Sequence, residues 1–261
     1  MTKRLIAIGL LSLAVLGLAA IAQAEVGRSG NVQVKVSGNL APQRLPRQGD
    51  VPISVSFAGQ ISTTDASEPP RLETLEIDIN RYGHIDTKGL QICNAAQIRT
   101  ASSARALTAC RRALVGRGKF WADIYLSGGE PYEAEGRLLV FNGRLHGRSV
   151  LLGHIYSPRP FATSFVIPFA IRKVRHGRYG TELSARFPKS MGSWGNVTGI
   201  EMKLSRRYFY RGSGRSFVSA SCPAPKGFPG TVFVLARTSF GFAGGRSVST
   251  DLQRNCKVRG R

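Results

Sequence analysis

Apolar and polar residues alternate one for one in stretch after stretch of this chain. Val32, Val34 and Val36 do so between Asn31 and Ser37. Ile53, Val55 and Phe57 do so within 51–63. Leu75, Ile77 and Ile79 do so within 72–79, with Thr74, Glu76 and Asp78 in the intervening positions. A period of two places successive side chains on opposite faces of a strand, so each segment carries one face that must be buried. Similar runs at 120–126, 137–144, 150–156, 163–174, 180–187, 197–210, 216–221, 231–238 and 246–252 bring the expectation to about twelve strands, with turn signals every 8–15 residues. Pro168 falls inside one of them, which argues for an edge or a bulge there. The segments at 137–144 and 150–156 read as a hairpin across His146-Gly147, and 25–30 reads as a polar leader. This pattern predicts an all-β fold, an antiparallel β-sandwich or jelly-roll-like architecture.

One helix interrupts the strands. Residues 95–113 are rich in Ala, Leu and Arg, and Ile98, Ala101, Ala104, Leu107 and Ala109 could form its inward stripe. Gly116 or Gly118 is expected to end it through a left-handed cap. The helix lies between Cys93 and Cys110. Its two readings are a lid over a pocket and a cap over one open end of the sandwich.

The first 24 residues have the layout of a signal peptide. Lys3 and Arg4 precede an apolar run from Leu5 to Ala20, and Ala22-Gln23-Ala24 is a small-x-small cleavage site. A membrane anchor is the competing reading of the same run. No later stretch is apolar enough to span a bilayer. The remainder divides into a single β-sandwich domain at 25–258, with a sub-boundary conceivable near 130, and a short basic tail at 259–261.

Four cysteines, Cys93, Cys110, Cys222 and Cys256, suit an exported chain with two disulfides. Cys93–Cys110 and Cys222–Cys256 is the simplest of three connectivities. Its loops of 17 and 34 residues would each contribute roughly 3 kcal/mol in the chain-entropy account. Zinc is the alternative, but no close CxxC pair is present.

The formal net charge is +22, and its distribution is uneven. Residues 25–135 hold 13 Lys and Arg against 12 Asp and Glu, whereas 136–261 hold 22 against 3. So lopsided a charge concentrates polyanions in a salt-dependent way. Biased composition would also explain it, since Arg outnumbers Lys 28 to 9. The densest segment is 202–229, read as a hairpin with an Arg-Gly-Ser-Gly-Arg tip. Arg206, Arg207, Arg211 and Arg215 cluster there with Tyr208, Phe209 and Tyr210. A second basic run, Arg172, Lys173, Arg175 and Arg178, surrounds His176 and Tyr179. Arginine forks match phosphate, sulfate and carboxylate, and aromatic rings offer a stacking surface. Because strand faces alternate, about half of these groups should point inward.

Signals for catalysis are weaker. Glu76, Asp78, Asp123, Glu130, Glu133 and Glu135 are the carboxylates available for glycoside hydrolysis. There is no GxSxG elbow, only Gly192-Ser193-Trp194-Gly195. His146 and His154, on opposite arms of one expected hairpin, could face each other, but no carboxylate is near them in sequence. The segment from Gly241 to Gly245 lacks the lysine and helix that a phosphate loop uses.

Several segments, ALTACRRALVGRG at 106–118, LLVFNGRLHG at 138–147, LLGHIY at 151–156, SASCPAPKGFPG at 219–230 and SFGFAGG at 239–245, together resemble a family of exported actinobacterial proteins of unknown function. The resemblance implies secretion, an all-β fold and paired cysteines. It implies no activity or ligand. The expectation is therefore a secreted, non-catalytic protein without a cofactor or metal. It would bind an anionic cell-wall polymer or polysaccharide through its basic C-terminal half, in preference to nucleic acid. A secreted hydrolase of carbohydrate or ester and a structural envelope protein are the alternatives.

Overall fold

The alternating segments become strands of one large sheet. The computed structural model describes residues 24–126, 130–175, 177–188 and 195–259. The expected leader up to residue 23, His176, most of the Gly192–Gly195 stretch and residues 260 and 261 lie outside these.

In chain order the strands are β1 (Glu25–Ser29), β2 (Val32–Ala41), β3 (Arg44–Leu45), β4 (Val51–Pro52), β5 (Ser54–Thr63), β6 (Leu72–Asn80) and β7 (Gly83–Ile85). Two short helices follow, α1 (Ala95–Ile98) and α2 (Ser103–Cys110). Then come β8 (Leu114–Ile124), β9 (Tyr132–Leu145), β10 (Arg148–Ser157), β11 (Thr163–Lys173), β12 (Tyr179–Arg186) and β13 (Gly195–Leu204). The last five are β14 (Arg207–Tyr210), β15 (Ser213–Ser216), β16 (Val218–Ala220), β17 (Gly230–Phe242) and β18 (Ser247–Val258).

Thirteen of them form one sheet in the order β1-β2-β5-β13-β8-β9-β10-β11-β12-β6-β17-β18-β3, antiparallel except for the β18–β3 pair. The sheet curls until its first strands meet its last long one. A Cβ on Gly27 of β1 would lie 2.6 Å from Val248 of β18, and one on Gly38 of β2 would lie 2.9 Å from Leu252. Glu25 closes this seam, accepting from Gln253 N at 3.0 Å and pairing with Arg254 Nη1 at 2.6 Å. The concave face is the core: Val34, Leu40, Leu75, Val140, Leu151, Ile167 and Phe240 are among its most buried residues. A small sheet, β4-β16-β7, packs against this core with Val51, Val218, Ala220 and Ile85.

The predicted parity holds at β6, where Leu75 and Ile77 are buried and Glu76 faces outward. The predicted hairpin turn also holds. His146 and Gly147 both have positive φ, 48° and 76°, the two-residue geometry that fits strand twist. Pro168 lies where only β10 borders β11, because the ladder to β12 begins at Phe169, which is the edge-like setting expected of it.

Four expectations need correction. The polar leader is β1, since its ladder to β2 needs only backbone groups and a tight turn at Gly30. The expected helix between Cys93 and Cys110 is present as α2 but is shorter than 95–113: α1 is a separate single turn, and Ser102 caps α2 by accepting from Arg105 N and so starts it anew. Ala104 and Ala109 are consequently exposed, and Ala106, Ser103 and Cys110 take the buried side. Gly116 and Gly118 do not cap a helix; they lie in β8, where Cβ atoms would collide with β13. The helices cap no end of the sandwich. They lie against the convex face of β9 and β10, where Ile98, Ala106 and Cys110 pack on Leu139, Phe141, Val150 and Leu152 in a second core.

Both disulfides have nearest-neighbour connectivity. Cys93–Cys110 spans the helical layer, and Cys222–Cys256 ties the chain after β16 to β18. No helix among the described residues is long and apolar enough to cross a membrane.

Candidate anion-binding hairpin

The segment read as one long hairpin is three separate pieces. β13 belongs to the large sheet and ends at Leu204, whose side chain is buried. β14 and β15 then form a two-stranded hairpin of their own, and β16 joins the small sheet. The tip narrows to Arg211-Gly212, both at positive φ (52° and 74°).

Strand alternation sorts the side chains of this hairpin. Tyr208, Tyr210 and Arg215 turn toward the loop at 86–89 and brace it there. Tyr208 Oη donates to Lys88 O at 2.9 Å, and Arg215 Nη1 pairs with Asp86 Oδ2 at 2.8 Å. Burial raises the Tyr208 phenol above its ordinary value. Tyr210 covers Gly89, at φ 83°, where a Cβ would overlap its ring. The Arg211 and Arg215 guanidiniums stand 5.4 and 5.6 Å from the centre of that ring. Arg207 and Phe209 take the opposite face. Phe209 is 85 % exposed, and Arg207 and Arg211 are exposed beside it in sequence. Among the described residues neither of these two arginines has a carboxylate partner. Arg206 precedes the strand, is half-buried, and its carbonyl accepts from Phe217 N.

The second basic run is divided between two settings. Arg172 donates from Nε to Glu182 at 2.8 Å. It begins a row that crosses five strands by register, Arg172, Glu182, Asp78, Arg237 and Asp251. Arg237 pairs with Asp251 at 2.7 Å and stands 5.8 Å from the Tyr179 ring centre. Arg172 is thus internally neutralised. Lys173 donates to Thr181 Oγ1 at 3.2 Å, and Arg175 and Arg178 are exposed at the β11–β12 turn.

Of the carboxylates considered for chemistry, the fold gathers Glu76 and Asp78 and adds Glu182. One oxygen of each lies within 4.8 Å of the others, and these three could hold a cation. Burial, then the charges of Glu182 and Asp78, raise the Glu76 carboxyl above its ordinary value. Arg172 already supplies a positive charge to this group. The two histidines do not face each other. His146 is exposed at its turn, while His154 is fully buried in β10 with Nε2 2.9 Å from Ala101 O.

Sequence reasoning missed Asp86 and Gly89, which hold the hairpin in place. Their only local signal was a turn-like Asp-Thr-Lys-Gly, and that says nothing about a contact some 120 residues away.

No family model matches this sequence, no curated protein is significantly similar to it, and no solved structure matches its fold significantly.

Proposed function

We propose that this chain is an exported, non-catalytic protein. In this reading it binds an anionic extracellular polymer, a cell-wall polymer or acidic polysaccharide, through the β14–β15 hairpin. The observation that carries it is the exposed sequence Arg207, Phe209, Arg211 on a hairpin braced by Tyr208, Tyr210 and Arg215. Arg207 and Arg211, which have no carboxylate partner among the described residues, offer forked hydrogen bonds to anionic groups, and the exposed Phe209 ring offers an apolar surface for a sugar ring. Bracing lowers the entropic cost of ordering these side chains on binding. Two disulfides and the signal-like leader support export.

The test is retention of the oxidised protein on immobilised heparin and on purified cell wall across a salt gradient. The comparison is a variant carrying Arg207→Ser, Phe209→Ala and Arg211→Ser. Arg215 stays in place because its pair with Asp86 is part of the brace. The wild type should elute at high salt and the variant early. Elution of both together at low salt would refute the reading and favour a structural envelope protein with incidental charge.

Hydrolysis has one observation on its side, the convergence of Glu76, Asp78 and Glu182. Release of reducing ends from polysaccharide that disappears in Glu76→Gln would favour it.

A further inference from the structure

A second basic feature lies on the convex face of the sheet. A cleft of about 660 Å³ opens between the β9–β10 turn and the outward faces of β11, β12 and β6. Small residues leave its floor low: Ala170 pairs with Ser184 across β11 and β12, beside Pro168. Arg148, from the end of the turn, and Arg186, from the end of β12, both line the cleft and are exposed. Among the described residues neither has a carboxylate partner. Glu76, the already paired Arg172, Thr74, His146, Ser149 and Ser184 also line it.

This composition discriminates between polyanions. A nucleic acid strand is held by stacking on large aromatic rings, and among the described residues the one ring lining the cleft is the small imidazole of His146, exposed at the β9–β10 turn. A ligand of anionic charge alone would be repelled by Glu76. A ligand that sets hydroxyls beside its anion suits both: Arg148 and Arg186 fork to the anion, while Glu76 and Ser184 take the hydroxyls.

The cleft also adjoins the loop that the hairpin braces. Ser149 lines the cleft, and its hydroxyl lies 3.5 Å from that of Thr87, in the loop that carries the hairpin brace. We infer that this cleft receives one acidic sugar unit, carboxylated or phosphorylated, of the polymer that the hairpin binds. The inference rests on the polymer-binding reading above.

The experiment uses the whole oxidised protein and short probes in titration calorimetry. The probes are tetragalacturonate for the carboxylate, glucose 6-phosphate for the phosphate, and maltotetraose as the neutral control. At least one anionic probe should bind and maltotetraose should not; which anion binds identifies the source. Arg148→Gln and Arg186→Gln should each weaken that probe about tenfold. Ala170→Leu, which fills the floor without touching a charge, should also weaken it. The hairpin triple variant should keep the short probe while losing retention on polymer. Failure of both anionic probes to bind, or full affinity in all three cleft variants, overturns the cleft assignment. A hairpin variant that retains polymer overturns the hairpin reading instead.

Discussion

Gly118→Ala tests how closely two central strands approach. Gly118 of β8 stands opposite Met202 of β13, and β9 borders β8 on its other side. A Cβ at this position would overlap the Glu201 carbonyl oxygen and lie 2.8 Å from Met202 Cα. Both atoms are backbone, so no rotamer change relieves the overlap. In an ordinary strand interior Ala is better than Gly by roughly 0.5–1 kcal/mol. Overpacking costs about 1–3 kcal/mol, and here the strands themselves must part, so the upper end applies. The expected net change is a loss of about 2 kcal/mol, and its sign is what decides. Urea unfolding followed by tryptophan fluorescence, with Trp121 three residues along the same strand, would measure it. With a slope of about 2 kcal/mol/M the midpoint falls by about 1 M at constant slope. Gly214→Ala is the control, because nothing lies within 4 Å of its would-be Cβ, and its midpoint should hardly move. A Gly118→Ala protein as stable as the wild type, or more stable, would refute the close approach.

Replacing Cys222 and Cys256 together by Ala should cost about 4 kcal/mol, and the Cys93–Cys110 pair about 3 kcal/mol, because the cost grows with the logarithm of loops of 34 and 17 residues. Thermal unfolding would check this, and equal losses well below these values would count against it. Burial holds the His154 imidazole below its ordinary value of 6.5, so the unfolded chain takes up a proton that the folded chain refuses. Stability should therefore fall as pH drops below 6.5, and His154→Gln should flatten that part of the profile; parallel profiles would show that His154 is not responsible. Gly89→Ala, which sets a Cβ into the Tyr210 ring at a positive φ, should displace the hairpin and lower retention on polyanion while the midpoint of unfolding changes little. Unaltered retention would show that the brace does not hold the binding residues.

Much of the candidate site was legible, but only as a list of residues. Alternation from Arg207 to Tyr210 says that Phe209 lies opposite Tyr208 and Tyr210. It does not say which face meets the protein; the loop at Asp86 to Gly89 settles that, and no local pattern joins positions so distant. Arg172 shows the same limit from the other side. In sequence it is one of four clustered cations. In the sheet it lies beside Glu182, and ladder register, which depends on every turn between them, turns it from a free charge into a paired one. The cleft was invisible, because smallness at Ala170 and Ser184 becomes a space only when an opposing wall exists.

The sequence by itself determined an all-β chain, its buried parity, the His146-Gly147 turn, the paired cysteines and the charge asymmetry. Each follows from local sterics, from period two or from counting, and none needs a distant partner. Only the tertiary structure decided the strand order, the seam between Glu25 and Arg254, the seating of the helices on a convex face and the pairing of individual charges. Those depend on contacts between residues far apart in the chain, where chain-closure entropy is weighed against burial and register over the whole sheet.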